Sequence, residues 1–357
     1  MAERLNPSGP SKRVLIAAGG TAGHVVPALA VAAELRARRA HVEFAGGDRI
    51  ESDLVPAAGY PFHRFGVSGL PRRPGPAQAR ALVRAARAPL ACRAIIRDMA
   101  PDVVFGAGGY VSGPMIAAAR LEGVPRALLE VDAHIGLANR LAAPMADRVF
   151  LSFPLDGKRP PRYVVTGRPL PEPPAAGGHS LELPSDRPLV LVFGGSLGAR
   201  TLNEAATGAW AERDPGFTVV HVTGERELDR YRACAAPHYH LLGFTPHLRD
   251  LIEQADLVVA RAGGSVFEIA AAGKPSILVP SPNVTANHQT ANAEHFALGG
   301  AAVLVDDADL TPTRLRQEVA ALLSDHERRE RMAVAARGLA RPDAAAVIAQ
   351  HLLELAR

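Results

Sequence analysis

Short apolar runs alternate along the chain with longer stretches that have helical periodicity. Residues 14–18 form one such run, and they lead through a glycine-rich segment into residues 27–39. In that second stretch Leu29, Ala32 and Leu35 fall on one helical face. Continuous apolar runs are typical of strands that are buried on both faces of a parallel sheet. The alternation therefore predicts an α/β protein with right-handed crossovers.

The same pattern predicts the remaining elements of both halves. Strands are predicted in the first half at residues 14–18, 41–45, 60–65, 102–105, 126–129 and 148–151, the last of them closing its sheet. Strands are predicted in the second half at residues 189–193, 217–223, 240–243, 256–260, 276–280 and 302–305. A helix over residues 77–99 contains Pro89, which we expect to break or kink it. Residues 311–356 are predicted to be helical, with a break near Pro342.

Prolines crowd between the two halves, which is typical of an interdomain linker. We therefore expect a first domain over residues 1–165, a linker over 166–188 and a second domain over 189–340. Residues 341–357 are predicted to form a terminal helix that packs back on the first domain. A chain of 357 residues with 48% hydrophobic composition is long enough for two separate cores.

Composition narrows the classes of function. The formal charge of +4 is compatible with phosphorylated substrates or an anionic membrane surface and is too weak to indicate nucleic-acid binding. The two cysteines, Cys92 and Cys234, lack metal-type spacing, so we expect a reduced, intracellular protein without disulfides. No apolar run approaches the roughly 20 residues of a membrane span. Any membrane contact is therefore expected to be peripheral.

Glycine-rich loops follow three predicted strands, at residues 19–23, 106–113 and 194–198. Loops of this kind let the backbone approach an anion, and the helix start that follows them favours phosphate. The spacing is not that of a dinucleotide-binding fingerprint, and no Walker motif is present in the sequence. Two such loops in separate halves predict two phosphate-handling domains.

A further stretch, residues 261–275, lies between two predicted strands of the second half. Ser265 and Glu268 have the spacing of a helix capping box, but Glu268 could equally accept hydrogen bonds from both ribose hydroxyls of a nucleotide. Gln289 likewise suits sugar hydroxyls or the cap of its own helix. The residues themselves leave these alternatives open.

Together these motifs resemble the MurG family of N-acetylglucosaminyltransferases. The resemblance rests on GGTAGH at 19–24 with Pro27, GGYVSGP at 108–114, GGSLGAR at 194–200, EIAAAG at 268–273 and HQTANA at 288–293. It implies a GT-B fold, in which two Rossmann-like parallel-sheet domains face each other across a cleft. It also implies inverting transfer of GlcNAc from UDP-GlcNAc to the 4-hydroxyl of the MurNAc-pentapeptide of undecaprenyl-pyrophosphate lipid I, which gives lipid II for peptidoglycan synthesis. No cofactor and no metal are expected, and the enzyme would act peripherally at the cytoplasmic face of the cell membrane.

The resemblance also assigns roles to individual residues. Ser196 would contact the UDP phosphates, Glu268 the ribose, Gln289 the GlcNAc hydroxyls, and Thr245 lies where the uracil-contacting segment falls. The other expected donor-binding residues are Thr21, Ala22, Gly23, Asp132, Arg168, Gly264 and Ser265. The acceptor pyrophosphate would lie near Gly19, Gly20, Gly108, Gly109 and Tyr110.

The sequence departs from the family in three places. Leu-Glu-Val-Asp at 129–132 stands where the family has His-Glu-Gln-Asn, so Glu130 is kept and the contacts of Asp132 are in question. A family arginine falls on Pro171, for which Arg168 could substitute. The loop over 261–268 is one residue shorter than usual. These departures keep open a non-catalytic UDP-sugar binding protein, and the shared fold keeps open a diacylglycerol glycosyltransferase or a UDP-GlcNAc epimerase.

The chemistry requires a base and stabilisation of the departing diphosphate. His24 is the predicted base because imidazole titrates near neutrality, and Glu130 is the second candidate. The helix start at 196–200 and Arg261 are candidates for stabilising the diphosphate, although Arg261 could instead form a surface salt bridge. The arginine-rich segment 72–97 is either a membrane-docking face or an ordinary solvated helix face.

Overall fold

The computed structural model describes residues 11–67, 76–172, 181, 183–184, 186–195, 198–284 and 287–356, and only the backbone of residues 76–86. The described residues form two compact units. The first unit contains the residues up to Pro171 together with those from Pro342 onward, and the second contains those from Glu172 to Arg341. Part of the predicted linker and the predicted phosphate contact Ser196 lie outside the described residues.

The first unit is built on a parallel sheet of seven strands within the described residues. The strands are β1 (Arg13–Ala17), β2 (His41–Gly46), β3 (Phe62–Arg64), β4 (Val103–Gly106), β5 (Arg126–Glu130), β6 (Arg148–Leu151) and β7 (Tyr163–Val165). Their order across the sheet is β3-β2-β1-β4-β5-β6-β7. The prediction that residues 148–151 close this sheet is wrong, because β7 pairs in parallel with β6 and extends the sheet by one strand.

The helices of the first unit connect these strands as crossovers. They are α1 (Ala22–Ala37), α2 (Glu51–Ala57), α3 (Pro76–Met99), α4 (Ser112–Leu121) and α5 (Leu137–Ala142). Two differ from the sequence prediction. Helix α1 begins at Ala22, five residues earlier than expected, and so contains Pro27 in its second turn. Helix α3 continues through Pro89 instead of ending there.

The second unit repeats this architecture with six parallel strands in its described part. The strands are β8 (Leu189–Phe193), β9 (Thr218–Val222), β10 (Tyr239–Leu242), β11 (Leu257–Ala260), β12 (Ser276–Leu278) and β13 (Ala302–Leu304), in the order β10-β9-β8-β11-β12-β13. The helices are α6 (Arg200–Trp210), α7 (Leu228–Tyr231), α8 (Leu248–Gln254), α9 (Val266–Ala271), α10 (His288–Leu298), α11 (Pro312–Ser324) and α12 (His326–Leu339).

The last helix, α13 (Ala344–Leu355), belongs to the first unit. Ile348, Ala349 and Leu352 are fully buried in the same apolar cluster as β1 and α1. The His351 ring stacks on Phe150 with centroids 5.7 Å apart. Among the described helices, none has the length and apolar character needed to cross a bilayer.

Strand order reverses once in each sheet, between β1 and β4 and between β8 and β11. In open parallel sheets, ligands bind outside the carboxyl ends of the strands at such a reversal, because the two crossovers there leave toward opposite faces. We therefore expect a ligand-binding site at the loops that follow these four strands.

Replacing Leu352 with alanine is expected to lower the free energy of unfolding of the first unit by about 2–5 kcal/mol, because it empties a fully buried position. Urea denaturation, followed by circular dichroism, measures the change. Gln350→Ala is the matched control, since it lies on the exposed face of the same helix. A Leu352→Ala protein as stable as this control would contradict the packing of α13 into the core.

Candidate active site

The loops after β1 and β4 lie against each other at the carboxyl edge of the first sheet. The strands are neighbours, with Ala17 opposite Gly106. Gly109 has φ +76°, and a Cβ on it would overlap the carbonyl oxygen of Gly19. Gly108 has φ +106°, and a Cβ there would overlap the ring of His24. Glycine is therefore required at 108 and 109 both for the backbone conformation and for the close approach.

His24 lies in the first turn of α1, with its imidazole ring against Gly108. Its Nδ1 atom is 3.2 Å from Oγ1 of Thr21. The side chain is partly exposed, whereas Thr21 and Ala22 beside it are exposed. The structure thus brings together Thr21, His24, Gly108 and Gly109, which the sequence analysis assigned to the base, the donor and the acceptor.

The side chain of Arg168 stabilises the start of α1 by donating to a backbone carbonyl of that helix. Pro27 has no N–H, so it cannot donate to the carbonyl of Gly23 as a residue of that helical position normally does. Nη2 of Arg168 donates to this carbonyl at 2.7 Å, and Nη1 donates to the carbonyl of Val131 at 3.3 Å. The side chain of Arg168 is buried. These bonds tie α1 to the end of β5, and the assignment of Arg168 to the donor stays a prediction.

Glu130, the second candidate base, is buried at the end of β5. Its carboxylate accepts hydrogen bonds from Nδ2 of Asn139 and the amide of Gly136, both at 3.0 Å, and from the amide of Asp132 at 3.3 Å. Burial raises the pKa of Glu130, and these donors partly oppose the rise. The contacts hold the loop between β5 and α5, which includes the partly exposed Asp132.

Glu51 is a site residue that the sequence analysis missed. It is fully buried, and its carboxylate accepts hydrogen bonds from the amide of Gly20 at 2.9 Å and the amide of Gly47 at 3.1 Å. The hydroxyl of Tyr110 donates to it at 3.1 Å. An acidic residue in the first turn of a helix is ordinary, so its position in α2 gave no signal. Gly20 is expected near the acceptor pyrophosphate, and its amide is paired with this carboxylate.

In the second unit the corresponding loop follows β8. Gly195 and Gly198 have positive φ, of +91° and +77°, and a Cβ on Gly198 would overlap the carbonyl oxygen of Thr223. That carbonyl also accepts from Nδ2 of Asn203 in α6 at 2.9 Å. The loop is therefore held close to the end of β9 as it enters the helix.

The loop after β11 carries Gly264, Ser265 and Glu268. The side chain of Ser265 makes no capping hydrogen bond at the start of α9, so the expected cap by Ser265 is wrong. Glu268 lies in the first turn of α9 and is partly exposed, as are Gly264 and Ser265. The assignment of the Glu268 carboxylate to ligand binding stays a prediction.

Gln289 lies in the first turn of α10 beside the loop after β11. Its Oε1 accepts from the amide of Ser281 at 2.9 Å, so it does not cap its own helix as one interpretation expected. Its Nε2 is 3.9 Å from the position that a Cβ would take on Gly263. Asn292, on the same helix, donates to the carbonyl of Ala262 at 3.1 Å. Helix α10 therefore places the amide group of Gln289 next to the loop that carries Glu268.

A pocket of about 150 Å³ opens at the carboxyl ends of β8, β9 and β10. Its lining residues are Phe193, Gly195, Val222, Gly243, Phe244, Thr245 and Leu248. The Phe244 side chain is 61% exposed at the pocket. Oγ1 of Thr245 accepts from the amide of His247 at 3.0 Å, which fixes the turn that forms the pocket wall.

Arg261 is buried and forms an ion pair with Asp307, at 2.5 Å from Nη1 to Oδ1. It also donates to the carbonyls of Val279 and Pro280. The interpretation as a surface salt bridge is therefore wrong, and the guanidinium is engaged within its own unit. Asp307 lies in a 3-10 turn before α11. Within the described residues, no three His, Cys, Asp or Glu side chains are grouped as a metal site would require.

Two Rossmann-like parallel-sheet domains with glycine loops at their strand-order reversals are the fold of the GT-B class, which includes enzymes that transfer a sugar from a nucleotide donor. Comparison with known proteins gives the family. Residues 14–151 match the glycosyltransferase family 28 N-terminal domain, and residues 189–348 match the glycosyltransferase family 28 C-terminal domain. The chain belongs to glycosyltransferase family 28.

Curated relatives are similar over nearly their whole length. A protein of Pseudomonas putida strain GB-1 is 40% identical over 356 residues, which is 97% of this chain and 98% of that protein. A protein of Anaeromyxobacter sp. strain Fw109-5 is 38% identical over 365 residues, which is 97% of this chain and 94% of that protein. Both are named UDP-N-acetylglucosamine--N-acetylmuramyl-(pentapeptide) pyrophosphoryl-undecaprenol N-acetylglucosamine transferase.

Solved structures agree with this assignment. MurG of Acinetobacter baumannii superposes with a TM-score of 0.79 at 29% identity, covering 97% of this chain and all of that one. The kitacinnamycin glycotransferase has a TM-score of 0.80 at 20% identity, covering 98% of this chain and 100% of that one. At that identity the second similarity supports the fold alone. The predicted fold class and family are thereby confirmed.

We expect Gly109→Ala to lower stability by about 1–3 kcal/mol more than Gly123→Ala, and to abolish most turnover. Both glycines have positive φ, so both variants strain the backbone by about 1 kcal/mol. Only at 109 must a neighbouring carbonyl also move, which adds an overpacking cost of about 1–3 kcal/mol. Urea denaturation and a turnover assay compare the two. Equal losses in both variants would contradict the close contact of the two loops.

Proposed function

We propose that this chain transfers GlcNAc from UDP-GlcNAc to the 4-hydroxyl of the MurNAc-pentapeptide of undecaprenyl-pyrophosphate lipid I, with inversion, to give lipid II. The observation that carries the proposal is the 38–40% identity, over nearly full length, to relatives named for this transfer. The side chains at the ends of the second sheet support it independently, since they suit a nucleotide sugar.

The donor would bind to the second unit. The pocket beside Thr245 has the size and the aromatic wall, Phe244, that suit a pyrimidine base. Glu268 would accept hydrogen bonds from the ribose hydroxyls, and Gln289 would donate to the GlcNAc hydroxyls. The loop after β8 and the start of α6 would receive the diphosphate, since backbone amides at a helix start favour an anion.

The chemistry would be a single displacement at the anomeric carbon. His24 takes the proton of the acceptor hydroxyl as that oxygen forms a bond to C1, and the bond from C1 to the phosphate oxygen breaks. The electron pair leaves with UDP, and the proton remains on the imidazole. The Nδ1 atom of His24 lies 3.2 Å from Oγ1 of Thr21, a contact that would orient the ring for this step. No metal takes part in the proposed reaction steps, so activity should persist in a strong chelator.

His24→Ala should lower kcat by about 10²- to 10⁴-fold, the usual contribution of a general base, with KM for UDP-GlcNAc within about twofold of wild type. Glu268→Gln should instead raise that KM by roughly 10- to 100-fold, because it weakens charge-assisted hydrogen bonds to the donor. Steady-state kinetics with a lipid I analogue measures both. Glu253→Gln, an exposed carboxylate on α8, is the matched control.

The same assay distinguishes the alternatives. Transfer to diacylglycerol in place of lipid I would favour a lipid glycosyltransferase, and conversion of UDP-GlcNAc alone would favour an epimerase. Tight binding of UDP-GlcNAc without turnover would favour a non-catalytic binding protein. Wild-type kcat in His24→Ala would remove His24 as the base and leave Glu130 as the candidate.

The acceptor is a membrane lipid, so we also propose peripheral association with an anionic membrane at the cytoplasmic face. Helix α5 exposes 55% of Leu137 and 67% of Leu141, on either side of Arg140. Helix α4 packs against both α3 and α5, and it exposes Leu121. Apolar side chains interspersed with arginines suit the interface of an anionic bilayer. Of the arginines expected to take part, the side chains of Arg80 and Arg84 lie outside the described residues.

Replacing Leu137 and Leu141 together with serine should weaken binding to vesicles of phosphatidylglycerol at least about fivefold, because two exposed apolar side chains no longer enter the bilayer. Cosedimentation measures the bound fraction. Leu298→Ser is the matched control, since that leucine is also exposed but lies on α10 of the second unit. Unchanged binding, both in the double variant and after reversal of Arg80, Arg84 and Arg87 to glutamate, would contradict the proposed surface.

A further inference from the structure

The Glu51 carboxylate takes no part in the reaction proposed above, yet it is fully buried at the carboxyl edge of the first sheet. Its Oε2 accepts from the amide of Gly20, and its Oε1 accepts from the amide of Gly47 and the hydroxyl of Tyr110. These three donors lie in the loops after β1, β2 and β4. We infer that Glu51 is a positioning residue, which holds the glycine loops so that His24 is presented to the acceptor hydroxyl.

Three glycines make room for this carboxylate. A Cβ on Gly19 would lie 2.7 Å from Oε1 of Glu51, and one on Gly46 would lie 3.0 Å from its Cγ. A Cβ on Gly47 would lie 3.1 Å from Oε1 and would overlap the Tyr110 hydroxyl. The packing of this buried carboxylate therefore explains the glycines at 19 and 47. At Gly46 the carbonyl oxygen of Ala18, 2.9 Å from a Cβ, contributes as well.

The link from Glu51 to His24 runs through direct contacts. The hydrogen bond from the Gly20 amide to Glu51 fixes the loop after β1. The carbonyl oxygen of Gly19 in that loop packs against Gly109, where it leaves no room for a Cβ. The hydrogen bond from the Tyr110 hydroxyl to Glu51 fixes the loop after β4. Gly108, in the same loop, packs against the His24 ring. A shift of either loop would therefore move the imidazole. Because a general base must lie within hydrogen-bond reach of its proton, a displacement of a fraction of an ångström costs turnover before it costs binding.

The three bonds require two acceptor oxygens on the side chain at position 51. Two backbone amides and a phenol donate to two carboxylate oxygens, and a carboxylate only accepts. A glutamine of the same shape has a single acceptor oxygen, so its NH₂ group must face a backbone amide on one side. The pKa of Tyr110, raised to about 12 by burial and then by Glu51, keeps the phenol protonated as a donor at neutral pH. Glu51→Gln thus breaks at least one of the three links with little change in volume.

The inference rests on the proposed function, and its test uses the full-length protein. Glu51→Gln and Tyr110→Phe are compared with Glu43→Gln, a carboxylate of β2 that contacts His41 and His63 and not the glycine loops. Kinetics with UDP-GlcNAc and a lipid I analogue give kcat and KM. Nitrogen NMR of histidine-labelled protein, with the His24 signal assigned by its loss in His24→Asn, reports the ring directly.

Glu51→Gln should lower kcat by about 10- to 100-fold and Tyr110→Phe by about 3- to 10-fold, with KM for UDP-GlcNAc within about twofold of wild type. The His24 signals should shift or broaden in both variants and stay unmoved in Glu43→Gln. Should Glu51→Gln fail to fold, Tyr110→Phe carries the same expectation, because it removes one hydroxyl only.

Wild-type kcat and unmoved His24 signals in folded Glu51→Gln and Tyr110→Phe would overturn the inference. So would a kcat loss of the same size in Glu43→Gln, since that would be a general effect of destabilising the sheet. Failure of the proposed function gives a different result. If His24→Asn retained turnover, His24 would not be the base, whereas displaced His24 signals in Glu51→Gln would still support the positioning role.

Discussion

The structure depends on the crowding of backbone at the carboxyl edge of a parallel sheet where the strand order reverses. Adjacent strands lie about 4.8 Å apart, so the loops that leave β1 and β4 have almost no room for side chains between them. Glycine at 108 and 109 meets this constraint, and His24 fills the space that remains. The polar groups exposed by such tight loops must then be paired, which is the role of Glu51, Arg168 and Ser112 around them.

The second unit meets the same constraint with different side chains. Buried Asn203 links the carbonyl of Thr223 to His221, and His221 in turn contacts the hydroxyl of Tyr239. Burial lowers the pKa of His221 to about 3, so this histidine is neutral and serves the interior of the sheet. The ion pair of Arg261 and Asp307 is likewise internal. The side chains proposed to bind the nucleotide sugar lie elsewhere in this unit, with Glu268 in the first turn of α9, Gln289 in the first turn of α10 and Phe244 at the pocket.

The replacements in the motif at 129–132 preserve the hydrogen bonds that hold this loop in place. The retained Glu130 holds its loop by three hydrogen bonds. Val131 is buried and contributes its carbonyl to Arg168, a contact that does not depend on the side chain at that position. Loops that are organised through backbone atoms tolerate side-chain replacement, provided that the groups binding those atoms are kept. The replacement therefore leaves the contact between β5 and the start of α1 intact.

The sequence by itself determined the α/β class, the two sheets, most strand positions and the glycine loops, because apolar periodicity and glycine spacing are local properties of a chain. It could not place β7 in the first sheet, start α1 before Pro27, or separate capping from ligand binding at Ser265, Glu268 and Gln289. The tertiary structure placed β7 and the start of α1 and showed that the side chains of Ser265 and Gln289 do not cap their helices, while ligand binding there stays a prediction. It also revealed Glu51 and the ion pair between buried Arg261 and partly exposed Asp307. Glu51 lies 31 residues from Gly20 and 59 residues from Tyr110 along the chain. Arg261 lies 46 residues from Asp307. Hydrogen bonding and burial at such separations are set by how the strands assemble, and no local pattern carries them.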